Sequence, residues 1–343
     1  MSLIYFRNMF KVLEISGNHY QVGLSLGEEF RGDMVNYLNI LKENKDFEKF
    51  LELANEYIDI TNKYLPNSIE KIKGMADGAN IDFNSCFLLN TRELSDILDP
   101  GFSSLDGADK IDHCTVAVSF GKDGAIVGHN EDWAAESQDD LYILKENLNG
   151  LSSIALTYKG VLPGLGASMN HYGFVQCINE MYQNNVGVGI PKIIQADEIM
   201  HSESLTEAET KLREFNKSSG FNHVLVQNNE VKNIEIAGKE MEVMNTINEP
   251  YVHTNHYLSP KLVNLEKTHT VSSVHRFERA KELIKNHMGV AEMERLLSDR
   301  EDIGYPISRP EETIGSVVMV PRKGEFFVCF GPAEVGKYDR FTI

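Results

Sequence analysis

Apolar residues return at helical intervals along the first third of the chain and at alternate positions along much of the rest. Phe10 to Ile15 alternates loosely and stops at Gly17, which suits a short strand, and Asn18 then caps a helix running to Phe30. Gly23 and Gly27 leave one face of that helix bare, as close helix packing requires. From Met34 to Tyr64 the stripe Phe47, Phe50, Leu51, Ala54, Tyr57 and Ile58 predicts a core-facing amphipathic helix. Leu65-Pro66-Asn67-Ser68 breaks it, Ile69 to Ala79 makes another, and a further helix opens at Phe83. The polar run Asn90-Thr91-Arg92-Glu93 reads either as the lining of a site or as a bridge to a neighbouring element, and Leu98 to Lys110 as a surface loop.

Past Cys114 the period shortens to two. Strands are expected over Leu141–Leu144, Ser153–Tyr158, His223–Gln227, Asn233–Ala237, Glu242–Asn245 and Tyr251–Tyr257, with hairpins around Asn170–Gly173 and Arg322–Gly324. Helices interrupt them at Ile193–Met200, at Leu205–Phe215 (opened by the capping residues Ser204 and Glu207) and at Ser273–His287. Helices, strands, helices and strands again predict an α+β sandwich, its helices covering packed sheets.

One hairpin stands apart. His113-Cys114-Thr115-Val116-Ala117-Val118 and Gly128-His129-Asn130-Glu131-Asp132-Trp133 flank the turn Gly121-Lys122-Asp123-Gly124. A turn centred between Lys122 and Asp123 sets residue 131 opposite residue 114, with Asn130 and Asp132 on either side of the cysteine. A cysteine on a strand is ordinarily core packing. Polar neighbours before it and across from it make Cys114 a candidate nucleophile, since a thiolate attack needs a base and donors for an oxyanion. Cys86, Cys177 and Cys329 sit in apolar runs and read as core.

Composition narrows the field. Net charge is −18, from 33 Lys and Arg against 51 Asp and Glu, a poor match to phosphate backbones or anionic membranes. Scattered cysteines without a CxxC pair, no signal peptide and no long apolar run suggest a cytoplasmic chain with free thiols and no metal site. A metallohydrolase would draw on His129 with Glu131 or on the histidines near 253, but no HExxH occurs, and on a strand His253 and His256 face opposite ways. The helix-borne cysteine signature of papain-like proteases is also missing.

Asp112-His113-Cys114-Thr115, Gly128 to Trp133 and Val252-His253-Thr254-Asn255-His256 together resemble the acyl-coenzyme A:6-aminopenicillanate acyltransferase family. These are N-terminal-nucleophile hydrolases, relatives of choloylglycine hydrolases and penicillin V acylases. Gly74 to Ala79, Leu89 to Glu93, Asn170 to Asn179 and Ser273-Val274-His275-Arg276 extend the resemblance over nearly the whole chain. It implies a four-layer αββα sandwich in one domain, 1–343, and a precursor that cuts itself at His113–Cys114. A mainly helical segment 1–113 would be released from the nucleophile-bearing chain 114–343.

The freed α-amino group of Cys114, with an unperturbed pKa of about 7.7–8.0, would then serve as the base for its own thiol. By the same resemblance Asp132 holds that amino group and Asn255 binds the oxyanion. Asn179, Asn130 and His113 are expected beside the substrate, a small N-acyl amide or acyl thioester, with no cofactor and a homo-oligomer left open. Two positions depart from the pattern: His113 replaces the glycine of penicillin acyltransferase, and Thr313-Ile314 replaces its serine–arginine pair, removing a cation and arguing against penicillin-type substrates. The competing reading is a non-catalytic or unprocessed binding protein of the same fold.

Overall fold

The computed structural model describes residues 11–94, 114–302, 304–334 and 336–343. The expected loop at Leu98–Lys110 and the residue His113 lie outside them. Strand β1 (Lys11–Gly17) leads into helices α1 (His19–Glu29), α2 (Arg31–Lys42), α3 (Phe47–Tyr64), α4 (Pro66–Ala79) and α5 (Phe83–Leu89). Asn18 and Gln21 close a capping box at the start of α1. The one helix expected over Met34–Tyr64 is two, because the Asn44 side chain accepts the Asp46 N–H at 2.8 Å and offers the backbone a turn instead of another helical bond. The bare face of α1 meets α4 backbone to backbone. A Cβ on Gly23 would lie 1.9 Å from the Lys71 carbonyl oxygen, and one on Gly78 would lie 2.2 Å from that of Leu24.

Beyond Cys114 come β2 (Thr115–Gly121), β3 (Gly124–Asp132), β4 (Leu141–Leu148), β5 (Leu151–Tyr158), β6 (Ala167–Asn170) and β7 (Val175–Asn179). Helices α6 (Lys192–Met200) and α7 (Leu205–Glu214) precede β8 (Asn222–Gln227), β9 (Glu230–Ala237), β10 (Glu240–Ile247) and β11 (Tyr251–His253). Then follow α8 (Val271–Leu283), α9 (Val290–Leu297), β12 (Thr313–Val320), β13 (Glu325–Phe330) and β14 (Tyr338–Thr342). Helix α9 and strand β14 were not expected.

The strands form two sheets, β1-β4-β5-β6-β7-β8-β9-β10 and β11-β2-β3-β12-β13-β14. Period two sorts their side chains into layers. Val116, Val118 and Val127 of the smaller sheet pack against Ile143, Ile154, Leu156 and Val224 of the larger one, forming the core between the sheets. On the outer face of the larger sheet Tyr142, Leu144, Leu225 and Ile234 meet the helices of the first segment together with α6 and α7. Ala117, Ile126 and Val318, on the outer face of the smaller sheet, meet Ala280 of α8 and Met293 and Leu297 of α9. The molecule is a four-layer αββα sandwich.

The first segment is tied to the rest. Strand β1 pairs in parallel with β4, and the Asn90 side chain accepts the Leu162 N–H at 2.7 Å. Glu93 accepts from the Lys192 N–H and the hydroxyls of Ser218 and Ser219. Asn90 and Glu93 thus act as the bridges their sequence suggests. Among the described residues no helix is long and apolar enough to cross a membrane.

The polar strand expected over Tyr251–Tyr257 is short. It pairs with β2 only as far as His253 opposite Val116, because β2 itself begins one residue earlier, at Thr115. Thr254 and Asn255 therefore leave the sheet, and Ser273 of α8 takes over their backbone and hydroxyl bonds.

Candidate active site

Cys114 stands at the head of β2 in the layer between the sheets. The β2–β3 register runs from Gly121 opposite Gly124 to Thr115 opposite Asn130, so residue 131 faces residue 114 as the turn chemistry requires. All four cysteines are buried and unpaired, but Cys114 alone among them has a positive φ, +63°. A side chain with a Cβ is strained in that left-handed region, at a cost on the order of 1–3 kcal/mol.

Four groups fix the residue. Its carbonyl oxygen accepts from Arg276 Nη1 at 2.8 Å and from Asn179 Nδ2 at 3.4 Å. Its thiol donates to Glu131 Oε2 at 3.6 Å and receives the Asp132 backbone N–H. Burial pushes the thiol well above its usual range, and the Glu131 and Asp132 carboxylates push it further, against smaller pulls from that N–H and from Arg276.

Arg276 organises the far side. Wholly buried on α8, it also donates to Thr115 Oγ1 at 2.7 Å and, through Nη2, to Asn255 Oδ1 at 3.0 Å. Asn255 in turn donates its amide to the Glu180 carbonyl at 3.2 Å. Asn179 accepts from Asn222 Nδ2 at 3.1 Å and meets His253 Nδ1 at 3.0 Å, and that ring reaches Glu235 at 3.1 Å. Cys114, Asn179 and Asn255 thus share one polar network.

Asp132 lies on the other face of β3. Its carboxylate takes Arg309 Nη2 at 2.9 Å and the Thr313 hydroxyl at 2.5 Å. An arginine from another position, Arg309, thus lies beside Thr313, where its guanidinium is paired with Asp132 and Glu312. Asn130 does not line the thiol: its amide donates to the Leu297 and Ile307 carbonyls and its oxygen accepts from Ser316. Alternate residues of a strand face opposite ways, so the residue opposite Cys114 shares its face and the flanking ones do not. His113 lies outside the described residues.

Sequence reasoning missed three members. Glu131 was placed by the register but weighed only as a metal ligand with His129. Tyr158 donates to Glu131 Oε1 at 2.6 Å from the facing sheet, and nothing local in the sequence announces it. Arg276 sits in a quoted motif without an assigned task. The Cys114 sulfur, a His129 nitrogen and a Glu131 oxygen also lie within 4.8 Å of one another, a soft and compact donor set that could take a metal ion.

Four layers, two packed sheets with helices on both outer faces, are the architecture of an N-terminal-nucleophile hydrolase fold. Within that class the chain belongs to the acyl-coenzyme A:6-aminopenicillanic acid acyl-transferase family, whose profile matches residues 119–333. The beta-alanyl-dopamine/carcinine hydrolase of Drosophila melanogaster is 28% identical over 192 residues, 50% of this chain and 49% of that protein. The chain thus spans about half the length of that relative. Two solved structures are similar over 67% of the chain. A mutant of conjugated bile acid hydrolase from Clostridium perfringens matches at 13% identity over 92% of its length, with a TM-score of 0.47. Penicillin V acylase from Agrobacterium tumefaciens matches at 12% identity over 86% of its length, with a TM-score of 0.49.

Proposed function

We propose that the protein is a cysteine amidohydrolase or acyltransferase that acts on a small N-acyl amide or acyl thioester through an acyl-Cys114 intermediate. The observation that carries this reading is the strained, clamped placement of Cys114: a non-glycine residue at φ +63° with its carbonyl held by Arg276 and its thiol set against a carboxylate. In the uncut chain the α-nitrogen of Cys114 is an amide and cannot act as a base. Attack of the thiol on the His113 carbonyl forms a thioester and turns that nitrogen into an amine; water then hydrolyses the thioester and severs residues 1–113 from residues 114–343. Cleavage would relieve the backbone strain and free an amino group suited to general-base catalysis near neutral pH.

In turnover the freed amine takes the thiol proton, the thiolate attacks the substrate carbonyl, and Asn255 steadies the oxyanion. The leaving amine departs protonated, and water or an acceptor amine resolves the thioester. Asp132, held by Arg309 and Thr313, would orient the amine. The name of the Drosophila relative, a hydrolase of β-alanyl-dopamine and carcinine, supports amide hydrolysis as the default outcome.

The test is the intact mass of the purified protein under denaturing conditions, beside Cys114→Ala. Two fragments divided at His113–Cys114 in the first sample and one chain in the second are expected. A single intact chain in both samples would favour the unprocessed binding protein over the enzyme.

A further inference from the structure

We infer that Glu131 is the recognition group for the acyl half of the substrate, and that this acyl group carries a primary ammonium. The inference rests on the reading of Cys114 as nucleophile and adds a substrate class to it. Glu131 is 5% exposed, and its partners are the Tyr158 hydroxyl at 2.6 Å, His129 Nε2 at 2.7 Å and the Cys114 thiol at 3.6 Å. No lysine or arginine pairs with it among the described residues. Other buried or nearly buried acids do have such a cation: Asp132 has Arg309, Glu146 and Asp197 share Lys71, and Glu180 has Lys192. Glu235 and Glu93 lack one too; backbone N–H groups and neighbouring side chains bond them where they tie loops together, one Glu93 oxygen staying without a partner, and neither acid touches Cys114. Glu131 instead touches the nucleophile and two ring-bearing side chains.

The His129 ring meets Glu131 through Nε2 and leaves its own Nδ1 buried without a hydrogen-bond partner, so the contact is no substitute for the lysine or arginine that the other acids have. After burial, the Glu131 carboxylate is the largest influence against ionisation of the thiol beside it, an influence that a bound cation would weaken. In a β-aminoacyl thioester on Cys114 an ethylene unit separates the ammonium from the carbonyl. Folded back over that unit, the ammonium comes beside an oxygen that lies 3.6 Å from the sulfur. A neutral acyl chain of the same length would leave the acid buried and unpaired, the kind of mismatch by which sites reject analogues most strongly.

The experiment uses the purified protein in the form in which it is produced, with no segment removed, and two activated esters, 4-nitrophenyl β-alaninate and 4-nitrophenyl butanoate, which differ by an ammonium for a methyl. The readout is the rate of Cys114 acylation followed by mass, each normalised to the ester's rate with free cysteine. A preference of at least about 100-fold for the aminoacyl ester is expected, falling to within a few-fold of unity in Glu131→Gln. A ratio near one in the wild-type protein overturns the inference while leaving Cys114 as the nucleophile. So does a ratio unchanged by Glu131→Gln. No acylation by either ester overturns both readings. The wild-type ratio alone decides if the variant does not fold.

Discussion

Two clusters of buried ionisable side chains lie on opposite faces of the eight-stranded sheet. On the helical face Lys71 of α4 donates to Glu146 of β4 at 3.0 Å and to Asp197 of α6 at 2.8 Å, and His201 meets Glu146 at 2.5 Å. On the face between the sheets Glu131 gathers Tyr158, His129 and Cys114. Both lie largely buried, and both centre on a carboxylate with a histidine beside it. They differ in closure. Lys71 answers the two acids it touches, and those acids hold its own pKa up at about 12 in spite of burial, while Glu146 is held well below the usual carboxylate range. The first cluster stabilises the charged forms of Lys71 and Glu146, although burial raises the Asp197 carboxyl. The second raises the pKa of its own thiol and leaves its acid without a cation. On the proposed reading, the first cluster answers its charges from within, whereas the second leaves a charge for the substrate to answer.

That contrast is most exposed to a change at Lys71. Lys71→Met removes the cation from two buried acids and should cost about 3–5 kcal/mol, since a broken buried pair leaves uncompensated charge. Thermal unfolding reads it as a marked fall in Tm. An unchanged Tm would mean that the helical-face cluster is no more self-contained than the site, and the distinction would collapse.

Asn255→Ala should divide its effect the other way. Loss of one oxyanion donor lowers turnover by about 10²–10³-fold, while Tm falls by less than in Lys71→Met. Single-turnover acylation and hydrolysis on the folded protein measure the first quantity and calorimetry the second. A large loss of stability with turnover intact would make Asn255 a structural tie for Arg276 and remove it from the chemistry.

The reach of sequence reasoning follows the same line. The β2–β3 register was legible because Gly121-Lys122-Asp123-Gly124 fixes the turn and period two carries the pairing back to Cys114. The glycine face of α1 was legible because residues four apart share a helix face. What escaped was whatever arrives from elsewhere in the chain. Tyr158 reaches Glu131 from the other sheet, and Arg276 reaches Cys114 from a helix more than a hundred residues later. Neither leaves a local trace. The expectation for Asn130 failed differently: proximity along the strand stood in for parity, and parity decides which side chain a thiol meets. The four layers themselves came from the family resemblance, because alternation of element types fixes a class and not a stacking order.

The smallest expected effect concerns His201, and its sign is what tests the closed cluster. Burial and, more weakly, Lys71 pull the ring's pKa down, but Glu146 at 2.5 Å and the Asp197 carboxylate outweigh them, and the net shift is upward. Lys71, Glu146, Asp197 and, more distantly, His19 are the ionisable groups that face it. A folded-state pKa above the unfolded value of about 6.5 means stability that is fully present below that pH and lost as pH rises through the folded value. His201→Gln should therefore lie furthest below the wild-type Tm in acid and approach it in alkali. The acid-side gap corresponds to about 1.5–3 kcal/mol for one charge-assisted hydrogen bond. Melting curves of both proteins from pH 5 to 9, about two units either side of neutrality, give the comparison. A gap that widens with pH would show the imidazolium to be a burden on Lys71 instead of a partner to Glu146, and the helical-face cluster would then share the unanswered charge that sets the site apart.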